Sequence, residues 1–132
     1  MARLGLDEIA RVAGGTILQG SPALTFESYG IDSRLAAAGG LFFAVIGKRD
    51  GHDFVGAAAA RGAAGAVIAR PVPLPVKDFG LVQVEDTVAA LQALARDVLA
   101  RWPVKVVGIT GSVGKTMTKE FTAALLAGRF RV

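Results

Sequence analysis

The residues best suited to chemistry lie near the end of the chain, in the sequence Thr110-Gly111-Ser112-Val113-Gly114-Lys115-Thr116. The β-branched run at residues 104–109 predicts a strand before this turn, and residues 115–127 have the pattern of an amphipathic helix. A glycine-rich turn between a strand and a helix, followed by lysine and threonine, is typical of a phosphate-binding P-loop. The alternative is a glycine-rich turn with an incidental lysine.

The residue types in this loop fit a nucleoside triphosphate. Gly111 and Gly114 can take backbone angles closed to other residues. The successive N–H groups of Gly111, Ser112, Val113 and Gly114 can therefore turn toward phosphate oxygens. The positive end of the following helix dipole adds to that field. Lys115 supplies a charge for the outer phosphates, and the Thr116 hydroxyl is placed to ligate Mg²⁺.

Composition bounds the class of protein. The chain has 132 residues, 52% of them hydrophobic, but arginines interrupt the apolar stretches before any reaches the ~18 residues of a membrane helix. Acidic residues at positions 7 and 8 interrupt any signal peptide, and there is no cysteine for a disulfide or a thiolate site. The net charge is +4, but the arginines are scattered along the sequence and few lie near aromatic residues. This pattern disfavours nucleic-acid binding. We therefore expect a soluble, cytoplasmic protein without membrane insertion.

Before the P-loop, helical and strand patterns alternate. Helices are predicted at 4–13, 54–62 and 86–102, with Asp86 as the N-cap of the last. Strands are predicted at 16–19, 24–31, 41–46, 65–69 and 81–84, with a proline-rich connection at 71–75. The uninterrupted apolar run at 41–46 predicts a strand buried on both faces.

The fold class is therefore α/β. A first domain at 1–102 is followed, from Pro103, by the first strand, the P-loop and the helix of a second domain. The glycine at 128 predicts the end of that helix, and 129–132 could begin another strand. Because a single βαβ unit takes ~30 residues and needs its return strand, we expect the second domain to be incomplete here.

A charged, glycine-bounded loop at 47–53 follows the buried strand, where open α/β sheets usually bind ligands. Its lysine and arginine could bind an anion or serve solubility alone. The sequence favours turn and helix-cap roles for Asp50 and Asp53 over the role of an acid/base pair. His52, the only histidine, has too few ligands near it for a metal site and is expected to support the loop locally.

Three features carry a resemblance to a known family: Ile-Asp-Ser-Arg at 31–34, the run 40–47 leading into Asp-Gly-His-Asp-Phe at 50–54, and the T-G-x-x-G-K-T loop. In this order and spacing the chain resembles the Mur ligases of peptidoglycan synthesis over essentially its whole length. A general P-loop pattern needs glycine where this chain has Ile109, whereas the shorter form is that of Mur ligases and folylpolyglutamate synthases. Met117 departs from the threonine or serine common there.

Within the family, Gly111-Ser112 and Lys119-Glu120 resemble the MurF branch, which adds D-Ala-D-Ala to UDP-MurNAc-tripeptide. The MurE branch, which adds the third amino acid, has the same N-terminal architecture and is the alternative. The resemblance implies an N-terminal domain that binds the UDP end of the substrate, before a P-loop ATPase domain. It also implies an N-terminal fragment of a longer ligase, inactive alone.

The resemblance further implies cofactors and site residues. ATP and Mg²⁺ would be bound at the loop, with Lys115 as the catalytic cation and Thr116 on the metal; the ATP-binding residues would be Gly111, Ser112, Val113, Gly114, Lys115, Thr116 and Met117. The candidates for uracil, ribose or diphosphate contacts are Ile31, Ser33, Arg34, Gly47, Lys48 and Arg49. For Ser33 and Arg34 the plain alternative is a turn with a solvated arginine.

Two other classes of function stay open. An unrelated P-loop nucleotide hydrolase or kinase would have no affinity for UDP-sugars in residues 1–102. A non-catalytic binding module that kept the ligase fold would not depend on Lys115.

Overall fold

The structure, a computed structural model, describes residues 2–73 and 76–132. By its contacts the chain divides into two units, Met1–Trp102 and Pro103–Val132. The predicted proline-rich connection at 71–75 includes Leu74 and Pro75, which lie outside the described residues.

The first unit is built on strands and three helices. Its strands are β1 (Leu4–Gly5), β2 (Thr16–Gln19), β3 (Thr25–Phe26), β4 (Tyr29–Gly30), β5 (Leu41–Phe43), β6 (Gly65–Ile68) and β7 (Gly80–Gln83), and its helices are α1 (Leu6–Ala13), α2 (Val55–Ala60) and α3 (Thr87–Ala100). Two 3₁₀ turns lie at Ser33–Leu35 and Gly51–Phe54. The predicted α/β class is confirmed.

A five-stranded sheet in the order β2-β7-β6-β5-β4 organises this unit. Strands β4 to β7 run parallel to their neighbours, and β2 pairs antiparallel with β7 at one edge. Strands β1 and β3 form a separate antiparallel pair. Because β4 and β5 are parallel neighbours, their carboxyl ends, and the loops that follow them, lie at the same edge of the sheet.

Alternating side chains of the central strands enter two different cores. Leu41 and Phe43 pack in a core with residues of α1 and α3, whereas Phe42 and Ala44 pack in a core with residues of α2. The sheet is therefore covered by helices on both faces, and the prediction that this run is buried on both faces is confirmed for 41–44. The strand is shorter than predicted, and Ile46 is 65% exposed. After Ala44 bonds to Val67 across the ladder, the chain turns away into the 47–53 loop.

The predicted extended segment at 24–31 was wrong as a single strand. It breaks into β3 and β4, which belong to different sheets. The Tyr29 hydroxyl lies within hydrogen-bond distance of the carbonyl oxygens of Phe26 and Ala2 and accepts from the Leu4 N–H. These bonds explain how two strands of two residues each can be held in place.

The N-cap predicted for α3 is confirmed, since the Asp86 carboxylate accepts from the N–H groups of Val88 and Ala89 at 2.8 and 3.0 Å. The long apolar face predicted for this helix is only partly buried. Leu94 lies in the core, but Leu99 is 49% and Trp102 61% exposed, and Trp102 lies beyond the helix end.

The second unit contains a single helix, α4 (Lys115–Ala127), with Gly128 at its C-cap as predicted. No strand forms at 104–109 or at 129–132 within this described unit, so those two predictions were wrong for this chain. A strand is held by the hydrogen bonds of a neighbouring strand, and no other segment of Pro103–Val132 pairs with either stretch.

In the part of the chain that the structure describes, no helix combines the length and the apolar character needed to cross a membrane.

Candidate functional site

A pocket of about 620 Å³ opens where β4 and β5 end. Its wall comes from the turn after β4, from β5 and the loop that follows it, and from α2; the lining residues are Ile31, Asp32, Ser33, Arg34, Phe42, Val45, Arg49, Gly51, Phe54, Ala57 and Arg61. This is the edge at which open α/β sheets bind ligands. The wall combines apolar and aromatic surface with three arginines, a serine and one carboxylate.

Asp32 and Arg34 form one side of the pocket as a paired unit. The Arg34 Nε and Nη2 atoms donate to the two carboxylate oxygens of Asp32 at 2.9 and 2.7 Å, and the Arg34 N–H donates to the same carboxylate. These bonds to Arg34 hold the pKa of Asp32 at about 2 and raise the pKa of Arg34. Asp32 therefore N-caps the Ser33–Leu35 turn and fixes the arginine that follows.

Ser33 is the polar group most enclosed at this site, with 9% of its surface exposed. Within the described residues its hydroxyl forms no hydrogen bond, although it lines the pocket. A hydroxyl has one donor and two acceptor positions, so Ser33 is equipped to bond a polar group of a ligand.

Gly51 brings the 47–53 loop directly onto the backbone after β5. Its N–H donates to the Val45 carbonyl at 3.0 Å, and a Cβ at this position would lie 2.6 Å from that same oxygen. Any side chain here would displace the loop from the pocket floor. The glycine of the Asp-Gly-His-Asp sequence is thus required by a close approach of two backbone segments.

His52 and Asp50 tie the other side of this loop to the end of β6. His52 is buried, its Nε2 accepts from the Ala69 N–H at 2.8 Å, and its Nδ1 lies 2.6 Å from Asp50 Oδ1. Arg70 pairs with the carboxylates of Asp50 and Asp53. The N–H and ring of His52, with Arg70, lower the pKa of Asp50 to about 2. Asp50 caps the Gly51–Phe54 turn, as predicted, and His52 supports the loop locally, as predicted. The helix-cap role predicted for Asp53 was wrong, since Phe54 is the N-cap of α2 and Asp53 pairs with Arg70 instead.

Four of the six residues predicted for a UDP ligand lie together at this pocket: Ile31, Ser33, Arg34 and Arg49. Gly47 and Lys48 do not line it, because the Gly47 N–H bonds to the Arg49 carbonyl in a tight turn at the loop tip. Sequence reasoning missed the contribution of α2. Phe54, Ala57 and Arg61 recur at helical spacing and so share one face, but the spacing does not show that this face packs beside the turn after β4.

The second unit contains the predicted phosphate-binding loop at the start of α4. Gly111 and Gly114 have φ of +147° and +77°, in the region that favours glycine. Gly114 is the N-cap, so the helix begins at Lys115, and a Cβ on Gly114 would meet nothing within 4 Å. The first N–H groups of a helix have no intrahelical partner, which leaves those of α4 available to an anion.

The residues present at this loop fit a magnesium nucleotide. Ser112, Val113, Lys115, Thr116 and Met117 are exposed at the helix start, and Lys115 and Thr116 line a pocket of about 290 Å³ with Val107, Ile109 and Lys119. Lys115 provides an ammonium and Thr116 a hydroxyl oxygen of the hard kind that Mg²⁺ prefers. The donor set therefore matches the predicted chemistry.

No family model matches the chain. Over its whole length it is 35% identical to UDP-N-acetylmuramoyl-tripeptide–D-alanyl-D-alanine ligase of Bacillus subtilis, and over 96% of its length 38% identical to the ligase of that name from Escherichia coli. It is 37% identical over 92% of its length to UDP-N-acetylmuramoyl-L-alanyl-D-glutamate–2,6-diaminopimelate ligase of Geobacter metallireducens.

Solved structures give the same result. MurF of Acinetobacter baumannii matches 98% of this chain with a TM-score of 0.83 at 28% identity, and MurF ligase of Thermotoga maritima in complex with ADP matches 78% with a TM-score of 0.64 at 36% identity. The chain spans less than a third of the length of these proteins: 29% and 27% of the first two relatives and 28% and 24% of the two structures.

Proposed function

We propose, for a chain that belongs to the Mur ligase family, that residues 1–102 bind the UDP end of a UDP-MurNAc-peptide and that the loop at 110–117 binds the phosphates of ATP. The single observation that carries the first half is the pocket after β4 and β5, with its apolar wall, its Ser33 hydroxyl and its arginines. A base could lie against the partly exposed ring of Phe54, and the diphosphate could bond the arginines.

The second half rests on the geometry at the start of α4. Gly111 and Gly114 have the positive φ that a phosphate-binding turn uses, and Lys115 follows at the first position of the helix. Thr116 would hold the Mg²⁺ ion, which would offset phosphate charge when bound. The Thermotoga relative is described as a complex with ADP, which supports a nucleotide here.

For the full-length protein we propose an ATP-dependent amide-forming ligase. In the reaction, the terminal carboxylate of the UDP-MurNAc-tripeptide takes the γ-phosphoryl group of ATP, which leaves ADP and an acyl phosphate. The amine of D-Ala-D-Ala attacks the acyl carbon, loses a proton and expels phosphate as the amide forms. Lys115 would stabilise the charge on the outer phosphates during the first transfer. With ATP as a substrate, the cytoplasm is the compartment that this reaction requires.

The second candidate is a ligase of the MurE kind, which adds the third amino acid. It is favoured by the 37% identity to the Geobacter diaminopimelate ligase. Both candidates use the same pocket for the UDP end and the same loop for ATP. They differ in the amine that is added and in the length of the acceptor peptide.

The test is an assay of the full-length protein with ATP and Mg²⁺. One reaction contains UDP-MurNAc-tripeptide with D-Ala-D-Ala, and the other contains UDP-MurNAc-dipeptide with diaminopimelate. Phosphate release and the product mass are measured. We expect the pentapeptide product in the first reaction only; product in the second alone would assign the MurE reaction.

The matched variants are Lys115→Ala and Lys77→Ala, because Lys77 is exposed and lies outside both pockets. We expect Lys115→Ala to lower turnover by about 10²–10³-fold, the usual effect of removing a group that stabilises developing charge, and Lys77→Ala to leave it unchanged. Full activity in Lys115→Ala would instead favour a non-catalytic P-loop.

A further inference from the structure

The three arginines at the pocket after β4 and β5 are not equivalent. Arg34 is bound through two of its nitrogens to Asp32, so its charge is balanced before any ligand arrives. Among the described residues, neither Arg49 nor Arg61 has a carboxylate oxygen within 4 Å. With three arginines and one aspartate in its wall, the pocket retains a net positive charge, and that charge belongs to Arg49 and Arg61.

Arg61 is held at the pocket by the end of α2. Its N–H bonds to the carbonyl groups of Ala57 and Ala58 at 3.2 and 3.1 Å, so its backbone position is set by the last turn of the helix. Ala57 and Phe54, which precede it on the same face, line the same pocket. The charge of Arg61 also reaches Asp32 across the pocket, where it contributes to the low pKa of that carboxyl.

The rest of the wall beside these two cations is largely apolar. Phe42 is 3% exposed and packs in the core around α2, which Phe54 also joins. Two unpaired guanidinium groups next to aromatic surface fit a ligand that has a flat ring at one end and an anionic group at the other. If Arg61 were only a solvent-exposed arginine at a helix end, neither an aromatic wall nor a second unpaired cation would be expected beside it.

We propose that Arg61, together with Arg49, binds the diphosphate of the UDP-linked substrate, and that Arg34 is a positioning residue that shapes the Ser33 turn with Asp32. This assignment rests on the proposed function of residues 1–102. It adds α2 to the ligand-binding elements and takes Arg34 out of direct charge pairing with the ligand.

The test is calorimetric titration of the 132-residue chain with UDP and, separately, with uridine. Arg61→Met removes the cation but keeps the length of the side chain. We expect it to weaken the binding of UDP about tenfold, or ~1.4 kcal/mol, and to change the affinity for uridine less than twofold. Arg61→Lys keeps the charge and should recover most of the UDP affinity. Arg96→Met, at an exposed position of α3, changes the net charge equally and should bind UDP as the unaltered chain does.

Arg34→Met is expected to weaken the binding of UDP and of uridine by the same factor, because it loosens the turn that carries Ser33. Circular dichroism checks that each variant is folded. UDP binding unchanged in Arg61→Met, or an equal loss for uridine, would overturn the assignment of Arg61, and a loss confined to UDP in Arg34→Met would overturn that of Arg34. If the unaltered chain binds neither compound, the proposed function of residues 1–102 fails, and this inference fails with it.

Discussion

The imidazole Nδ1 of His52 lies 2.6 Å from the carboxylate Oδ1 of Asp50. Since Nε2 accepts from the Ala69 N–H, the proton of the neutral ring is assigned to Nδ1, which donates to Asp50. One buried side chain thus joins the loop after β5 to the backbone after β6. Arg49 and Gly51, which line the pocket, belong to the loop that this contact holds.

Replacing the ring tests this contact. His52→Leu removes the acceptor for the Ala69 N–H and the donor to Asp50, and the leucine cannot satisfy either group. An unsatisfied buried donor costs about 1–3 kcal/mol, so we expect the free energy of unfolding, measured by urea denaturation, to fall by that amount.

The control for this variant is Asp53→Ala. The Asp53 side chain is 66% exposed and pairs only with Arg70 among the described residues. Exposed pairs contribute about 0.2–1 kcal/mol, so Asp53→Ala should be the smaller loss. Equal losses in the two variants would mean that the histidine does no more than a surface ion pair.

Acid titration tests the carboxylate partner. The pKa of Asp50 is about 2 in the folded chain against an ordinary value of 3.8, chiefly because the His52 N–H and ring donate to the ionised form. A carboxyl whose pKa is lowered by folding stabilises the fold at pH values above its ordinary pKa. This stabilisation is lost as the pH falls toward the pKa of the folded chain. We expect the stability gap between the unaltered chain and Asp50→Asn to be constant above pH 4 and to narrow between pH 4 and 2. A gap that stays constant to pH 2 would contradict this.

A methyl group at Gly51 tests the close approach at the pocket floor. Gly51→Ala places its Cβ 2.6 Å from the Val45 carbonyl oxygen, so the loop must move. Overpacking costs about 1–3 kcal/mol, and we expect that loss in unfolding free energy together with weakened UDP binding. Gly56→Ala, in α2 with nothing within 4 Å of its Cβ, should be neutral or stabilising by about 0.4–1 kcal/mol. The same response in both variants would rule out the steric explanation.

The 132-residue chain should bind magnesium nucleotides only weakly and should not ligate. In the described part of Pro103–Val132, residues 104–110 form no strand pairing, and the start of α4 is exposed. We expect no phosphate release from ATP when UDP-MurNAc-tripeptide and D-Ala-D-Ala are present. Turnover by this chain alone would contradict this expectation.

The elements defined by local signals could be predicted from the sequence. The N-cap at Asp86 and the glycine at 128 depend on residues close in the chain. The positive φ of the P-loop glycines also depends on nearby residues, since it follows from the turn that they form. The same is true of Ser33 and Arg34, which lie in a turn capped by Asp32, the residue directly before it.

The features that were missed depend on distant partners. The split of 24–31 into two strands is fixed by β1 and β5, which lie elsewhere in the sequence. The predicted strand at 104–109 lacks a pairing partner among the described residues of its unit. Arg61 joins the pocket because α2 packs beside the turn after β4, a tertiary contact that residue spacing alone does not reveal.

The most direct test of the central claim is a ¹H–¹⁵N correlation spectrum of the chain titrated with UDP. The account predicts that the shifted amides cluster at 31–34, 45–51 and 57–61, around the pocket after β4 and β5, while those of α1 and α3 stay in place. Saturating UDP that shifts no amide at this pocket, or shifts a different set on α1 or α3, would contradict it.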